Sequence, residues 1–358
     1  MITRGHGNLL LADADALVNT VNTVGVMGKG IALQFKRAYP ANFDDYKTAC
    51  DHDEVAVGRM HVHHMSQLDG PRFIINFPTK RHWRSPSRLE DISSGLAALR
   101  EVIISEGITS IAVPPLGCGN GGLLWQDVAP LIERALGDLP GVEVRVWAPE
   151  GAPDARSMVV GTEAPGLTAA RSAFIAALNR YMKRAMDRGL AFEARVSLIE
   201  AHKIAFFLQR LGLPLNLQFD KGVYGPYAPR LDSAVAAMEG HYIFGFGDGS
   251  SGAKAVLELD DSAVKEAEGL LADDQGFQDV DSRFSALVAG FEDAFGLELL
   301  GTVLFTADSL KASPADLDQV TDYIHEWNPR KRRLFTRQHV ETAWARLSEQ
   351  GLIGALVA

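Results

Sequence analysis

Along the first third of the chain, apolar residues come in short runs that alternate with longer amphipathic ones. Residues 7–36 read as strand, turn, strand, glycine loop and helix: apolar Leu9, Leu10 and Leu11, then Ala16, Leu17 and Val18, then an amphipathic run from Ile31 to Phe35. The pattern predicts a short helix over 42–50. It predicts paired strands over 61–64 and 73–75 around Asp69-Gly70, and a long helix over 89–105. A buried strand at Ile111, Ala112 and Val113 ends in Pro114-Pro115, a helix follows over 125–136, and the last strand covers 142–147. Alternation of this kind belongs to an α/β domain. Residues 151–166, rich in Gly, Pro and Ala, read as a connection. The division predicted is therefore a domain at 1–155, a linker at 156–166 and a second domain at 167–358. In the latter, helical periods run over 169–186, 197–211 and 337–350, a helix begins at 231, and 219–227 is an aromatic, turn-rich loop.

Two glycine clusters carry the candidate chemistry. Gly25, Gly28 and Gly30 precede the helix at 31, and Gly117, Gly119, Gly121 and Gly122 follow the strand at 111–113. Each lies between the C-terminal end of a strand and the start of a helix, where open α/β sheets bind ligands. Glycine lets backbone N–H groups approach a ligand, and a helix N-terminus favours negative charge. Two such loops on one sheet edge suit a diphosphate. The first is not a GxGxxG, and Lys29 is not a P-loop lysine, because GxxxxGK[ST] is absent.

The wider composition narrows the class. The chain has 358 residues, 47% hydrophobic and 22% charged, as in globular proteins of about two domains. No run of ~18 apolar residues occurs and Met1-Ile2-Thr3-Arg4 does not open a signal peptide, so a cytoplasmic location and no membrane partner are expected. Cys50 and Cys118 are the two cysteines, too few for a disulfide framework or a zinc cluster. His61 and His63 share a strand face with no acidic partner close in sequence, so no metal is expected, and no cofactor either.

The net charge of −10 is unevenly spread. Residues 72–88 hold five Lys/Arg, one His and no acid, with Trp83 among them. Phosphates pair with such cations and a base stacks on such an aromatic; the plain alternative is a solvated loop around a packing tryptophan. Residues 232–326 hold 20 Asp/Glu against 4 Lys/Arg. That block is either a set of solvated helix faces or a surface competing with DNA for a basic partner. The run Arg330-Lys331-Arg332-Arg333 is expected to neutralise acid within its own domain.

The residues resemble a macrodomain, the ADP-ribose-binding fold. The pattern is Gly7-Asn8, Asn19-x-x-Asn22, Met27-Gly28-Lys29-Gly30-Ile31-Ala32 and Pro115-Leu116-Gly117-Cys118-Gly119-Asn120-Gly121-Gly122-Leu123, in order over residues 1–150. Among macrodomains the chain particularly resembles the DarG family, through the run 76–84 (Asn-Phe-Pro-Thr-Lys-Arg-His-Trp-Arg) and the following Ser85-Pro86-Ser87. The resemblance implies a three-layer α/β/α domain with a mixed sheet, followed by a mainly helical C-terminal domain. It implies an antitoxin that removes ADP-ribose from thymidine in single-stranded DNA, reverses a DarT-type toxin, and binds that toxin as a heterodimer through its acidic region by DNA mimicry. A non-catalytic ADP-ribose reader and a hydrolase of ADP-ribosylated protein are the alternatives.

For the site, the resemblance implies ADP-ribose contacts from Asn8, Leu9, Thr20 and Asn22, from Met27, Gly28, Lys29, Gly30 and Ile31, and from Pro115, Gly117, Cys118, Gly119, Asn120, Gly121, Gly122 and Leu123. Lys80 matches the catalytic lysine. Its amine would attack the anomeric carbon, with Arg81, His82 and Arg84 as the cations lowering its pKa, or act as proton donor or ribose holder. His82 is also a candidate base. Asn22 would orient the distal ribose, leaving loop capping to Asn19. Asn8 stands where many macrodomains place an adenine-binding aspartate; it keeps the acceptor oxygen and loses the charge. Arg81, His82, Trp83, Arg84, Ser85 and Arg88 would contact DNA.

Overall fold

The computed structural model describes residues 1–66, 69–310 and 317–354. It divides into two compact units, Met1–Glu163 with Gly247–Ser250, and Ala164–Phe246 with Ser251–Ala358.

In the first unit, strands β1 (Ile2–Arg4), β2 (Ala16–Asn22), β3 (His61–His64), β4 (Phe73–Lys80), β5 (Ser110–Val113) and β6 (Glu143–Val146) form one sheet in the order β1-β6-β5-β2-β4-β3. Its pairs are parallel except β3 with β4, which is antiparallel, so the sheet is mixed. Between the strands run helices α1 (Gly30–Ala38), α2 (Pro40–Asp51), α3 (Leu89–Ser105) and α4 (Trp125–Leu136). Side-chain alternation explains the layers. Ala16, Val18, Phe73, Ile75 and Phe77 point to one face and pack with Leu96 and Leu99 of α3 and Val128 and Ile132 of α4. Leu17 and Ile74 point to the other and pack with Phe35 of α1 and Trp147. Both sheet faces are thus covered, giving the α/β/α sandwich expected.

Three local differences stand out. Leu9–Leu11 is a single 3-10 turn and not a strand, because the Asn8 side chain caps it by accepting from the Leu10 N–H (3.0 Å). The stretch read as a linker is packed: Gly161 N donates to Arg37 O (2.8 Å) and Val159 joins the core under α1. Gly247–Ser250 also belongs to this unit, and Asp248 O accepts from the Gly30 N–H (2.9 Å).

The second unit is mainly helical: α5 (Ala169–Asp187), α6 (Leu198–Arg210), α7 (Pro229–Met238), α8 (Asp261–Leu270), α9 (Gln275–Val288), α10 (Ala294–Leu310), α11 (Leu317–Trp327), α12 (Pro329–Leu334) and α13 (Arg337–Glu349). Strands β7 (Val196–Ser197), β10 (Ile243–Phe244) and β11 (Val256–Leu259) make a small sheet. The aromatic loop at 219–227 is a hairpin of β8 (Asp220–Gly222) and β9 (Gly225–Tyr227). Of the four cations after Trp327, two neutralise an acid of their own domain: Lys331 is fully buried and, with Arg330, clamps Glu298, at 2.8 and 2.5 Å, whereas Arg332 and Arg333 are exposed. Burial pushes the Lys331 amine down to about 8. No helix among the described residues is long and apolar enough to cross a membrane.

Candidate active site

The C-terminal ends of β2 and β4 build the centre of the site. They pair in register from Ala16 with Phe73 to Val21 with Pro78, and then the register shifts so that Asn22 faces Lys80. A bulge of this kind re-aims side chains at a strand end. It places the two residues singled out from the sequence side by side, on a cleft of about 1140 Å³.

Lys80 is half-buried, and its Nζ donates to Asn120 O at 2.9 Å. Its amine is held below the ordinary lysine value of 10.5, and the cause is burial alone. The cations proposed to lower it do not act on it. Arg81 makes a two-pronged ion pair with Asp91 (2.7 and 2.9 Å), and His82 turns its Nδ1 to the Arg84 N–H (3.2 Å) outside the cleft.

Asn22 lines the cleft, and its side chain ties the loop after it through Oδ1 and one of the two N–H groups of Nδ2. Nδ2 donates to Val26 O (2.5 Å) and Oδ1 accepts from Val24 N (3.0 Å) and Val26 N (3.3 Å). The loop-closing role expected of Asn19 therefore falls to Asn22. Asn19 is buried and bonds Asn76 Oδ1 (2.9 Å) and the Met27 sulfur (3.8 Å). That sulfur contact fixes Met27 in the core with Tyr46 and Val21, away from the cleft. The reason is alternation along the loop: Val26 and Gly28 face the ligand space and Met27 faces in.

The two glycine loops meet. Gly30 has φ +64°, and a Cβ there would lie 3.0 Å from Asn120 Nδ2. Gly28, Lys29, Gly30 and Ile31 line the cleft from one side, and Pro115, Gly117, Gly119, Asn120 and Gly121 from the other. Three positions expected there do not line it. Leu123 and Cys118 pack toward the core beside α3 and α4, Cys118 with its thiol pushed up to about 11 by burial, and Gly122 serves the turn by donating to Gly119 O (3.1 Å).

Asn8, Leu9 and Thr20 also line the cleft. The Asn8 oxygen caps the 3-10 turn, and its Nδ2 holds Ser157 O (3.2 Å). Sequence reasoning missed the wall beyond it: Trp147 to Asp154 flank the cleft, with Trp147 Nε1 bonded to Gly7 O (2.9 Å). Composition makes the part from Gly151 onward a connection; the buried tryptophan was the available signal.

At the other end the rim carries Trp83 and Arg84. Trp83 is 46% exposed. The Arg84 guanidinium lies 4.4 Å from its ring centroid and the His82 ring stacks at 5.5 Å. Ser85 and Arg88 are exposed but lie outside the cleft. Far from this, His61 and His63 do have an acidic neighbour: Asp45 on α2 bonds His63 Nδ1 at 2.7 Å. No group of three or more metal-ligating side chains occurs among the described residues.

The sheet order, the bulged strand end and the two converging glycine loops define a macrodomain protein. A family model for the Macro domain matches residues 18–132. The chain is 43% identical over 348 residues to the DNA ADP-ribosyl glycohydrolase of Thermus aquaticus, covering 97% of this chain and 93% of that one. The chain thus belongs to the DNA ADP-ribosyl glycohydrolase family, the DarG proteins. It is also 36% identical over 159 residues to a DNA ADP-ribosyl transferase-DNA ADP-ribosyl glycohydrolase fusion protein of Thermosipho africanus, covering 40% of this chain and 41% of that one. The solved macrodomain of Mycobacterium tuberculosis DarG is 57% identical, with a TM-score of 0.42 over 42% of this chain and 99% of that one.

Proposed function

We propose that this protein hydrolyses the bond between ADP-ribose and a base of single-stranded DNA, thymidine in particular, and so reverses a DarT-type toxin. The single observation carrying this reading is the Lys80 amine. It is partly desolvated, opposite Asn22 at a bulged strand end, and tied to the second glycine loop at Asn120. ADP-ribose lies along the cleft, its diphosphate on the two loops and its adenine end toward Asn8 and the 147–157 wall. Lys80 attacks the anomeric carbon, the base leaves, and water resolves the lysine adduct. Asn22 holds the loop through Oδ1 and one N–H of Nδ2, and its other N–H orients the distal ribose.

Trp83 and Arg84 at the open end favour a nucleic acid strand over a protein as the carrier. The exposed acids of the second unit form the toxin-binding surface, in a heterodimer that blocks the toxin's DNA site; a cytoplasmic location suits such a pair. The name of the Thermosipho africanus relative, which joins a transferase and a glycohydrolase in one chain, supports pairing the two activities. Incubation with ADP-ribosylated oligonucleotide is expected to release free ADP-ribose, faster than from glutamate-modified protein. Binding without release would make the protein a reader, and preference for the modified protein would reassign the carrier.

A further inference from the structure

The residues between the catalytic lysine and α3 are bonded to both glycine loops. Lys80 Nζ donates to Asn120 O and Ser87 N donates to Gly121 O, each at 2.9 Å, so both ends of the segment hold consecutive residues of the second loop. Thr23, in the first loop, donates from its hydroxyl to Arg81 O at 2.7 Å. Arg81 then locks onto Asp91 in the first turn of α3. Between these anchors, residues 81–86 are exposed and carry Trp83 and Arg84.

Ser87 is the buried member of this run, 6% exposed, and its Oγ has no hydrogen-bond partner among the described residues. The hydroxyl lies directly beneath the second loop: a Cβ at Gly121 would stand 2.3 Å from it and one at Gly117 3.2 Å. A buried hydroxyl without a partner favours any small movement that supplies one, and here the nearest backbone belongs to the loop that cradles the phosphates.

We propose that Ser87 is a positioning residue that couples the two halves of the substrate: a strand held at Trp83 and Arg84 sets the loop that grips ADP-ribose, and a filled cleft sets the strand-reading segment. This rests on the reading of the rim as a nucleic-acid contact. The coupling is a binding free energy, so it is reciprocal. It makes ADP-ribose on a DNA strand a better ligand than the sum of its parts.

The test uses the full-length protein, free ADP-ribose and an unmodified single-stranded oligonucleotide that is not joined to it. Calorimetry gives the ADP-ribose affinity with and without saturating oligonucleotide. We expect the oligonucleotide to tighten ADP-ribose about fivefold or more, with the same factor in the reverse experiment. Ser87→Ala, which keeps the backbone bond to Gly121, and Thr23→Val, which removes the other link, should each bring that factor toward one. Thr23→Val keeps the test valid if the core substitution lowers folding. A merely structural role for Ser87 would change both affinities and leave their ratio in place. An ADP-ribose affinity indifferent to bound oligonucleotide overturns the coupling, and a factor that survives Ser87→Ala shows that Ser87 does not carry it and overturns the proposal. No oligonucleotide binding at all overturns the strand-reading rim and the coupling with it.

Discussion

At the scale of single residues, the proposed chemistry rests on one amine and on what surrounds it. Charge repulsion from Arg81, His82 and Arg84 was the expected way to activate Lys80, yet Arg81 is spent on Asp91 and the shift comes from burial between β4 and the second glycine loop. Desolvation disfavours the ammonium, so the neutral, reactive amine is populated at lower pH than for a free lysine. If that amine is the nucleophile, kcat rises with pH through a midpoint below 10.5, the ordinary lysine value. If the ammonium donates a proton to the leaving base, the same midpoint marks a fall. We expect the rising limb in the pH profile of ADP-ribose release. Lys80→Ala and Lys80→Arg should each lose at least about a hundredfold in kcat, and an active Lys80→Arg would assign the role to positive charge alone. Lys80 could be picked out from the sequence because it ends an apolar strand and the family motif covers it. The use of the Asn22 amide could not, because it depends on the backbone of Val24 and Val26 curling back onto it.

At the scale of elements, the sequence marks loops by their glycines but does not say which way the residues between them point. Gly30 and Gly117, at φ +64° and +71°, are needed for the turns and were legible. Met27 and Leu123, inside the same motifs, face the core, because a short loop must also close the sheet edge and buries alternate side chains to do so. The Gly- and Pro-rich stretch from residue 151 misled a compositional reading: such a stretch lacks periodicity whether it is free or packed, and the Asn8 and Gly161 hydrogen bonds that pin it are long-range. The basic segment shows the same limit. Its charges are visible, but their tasks differ. Arg81 faces a carboxylate that is 7% exposed, so Arg81→Ala strands a nearly buried Asp91 and should cost about 1–3 kcal/mol in a denaturation experiment. The Arg84 guanidinium lies over the Trp83 ring and is in no ion pair among the described residues. Its removal should leave the unfolding midpoint in place, weaken single-strand binding, and lower the salt slope of that binding by about one unit. Equal stability losses for both variants would contradict this division of labour.

At the scale of the whole molecule, acid and base are sorted by position along the chain, and the structure separates acids that hold the second unit together from those that face water. Glu268 and Asp281 pair with Arg180, and Glu298 is buried under Arg330 and Lys331. Asp274 caps α9 by accepting from Phe277 N at 2.9 Å. Those four make the fold. Asp261, Glu266, Asp273 and Asp279, on α8, α9 and the turn between them, are exposed and carry the charge available to a partner. A surface of that kind acts mainly by steering, so its signature is an association rate that falls with ionic strength. The triple substitution Glu266→Lys, Asp273→Lys and Asp279→Lys spares every pairing named above. It should therefore fold as the parent does, slow capture of a DarT-type toxin about tenfold or more at low salt, and lose most of the salt dependence of that step, while ADP-ribose release by the first unit continues unaltered. Toxin capture by this variant at the parent's rate, with the parent's salt dependence, would show that α8 and α9 are a solvated face and that the partner is gripped elsewhere.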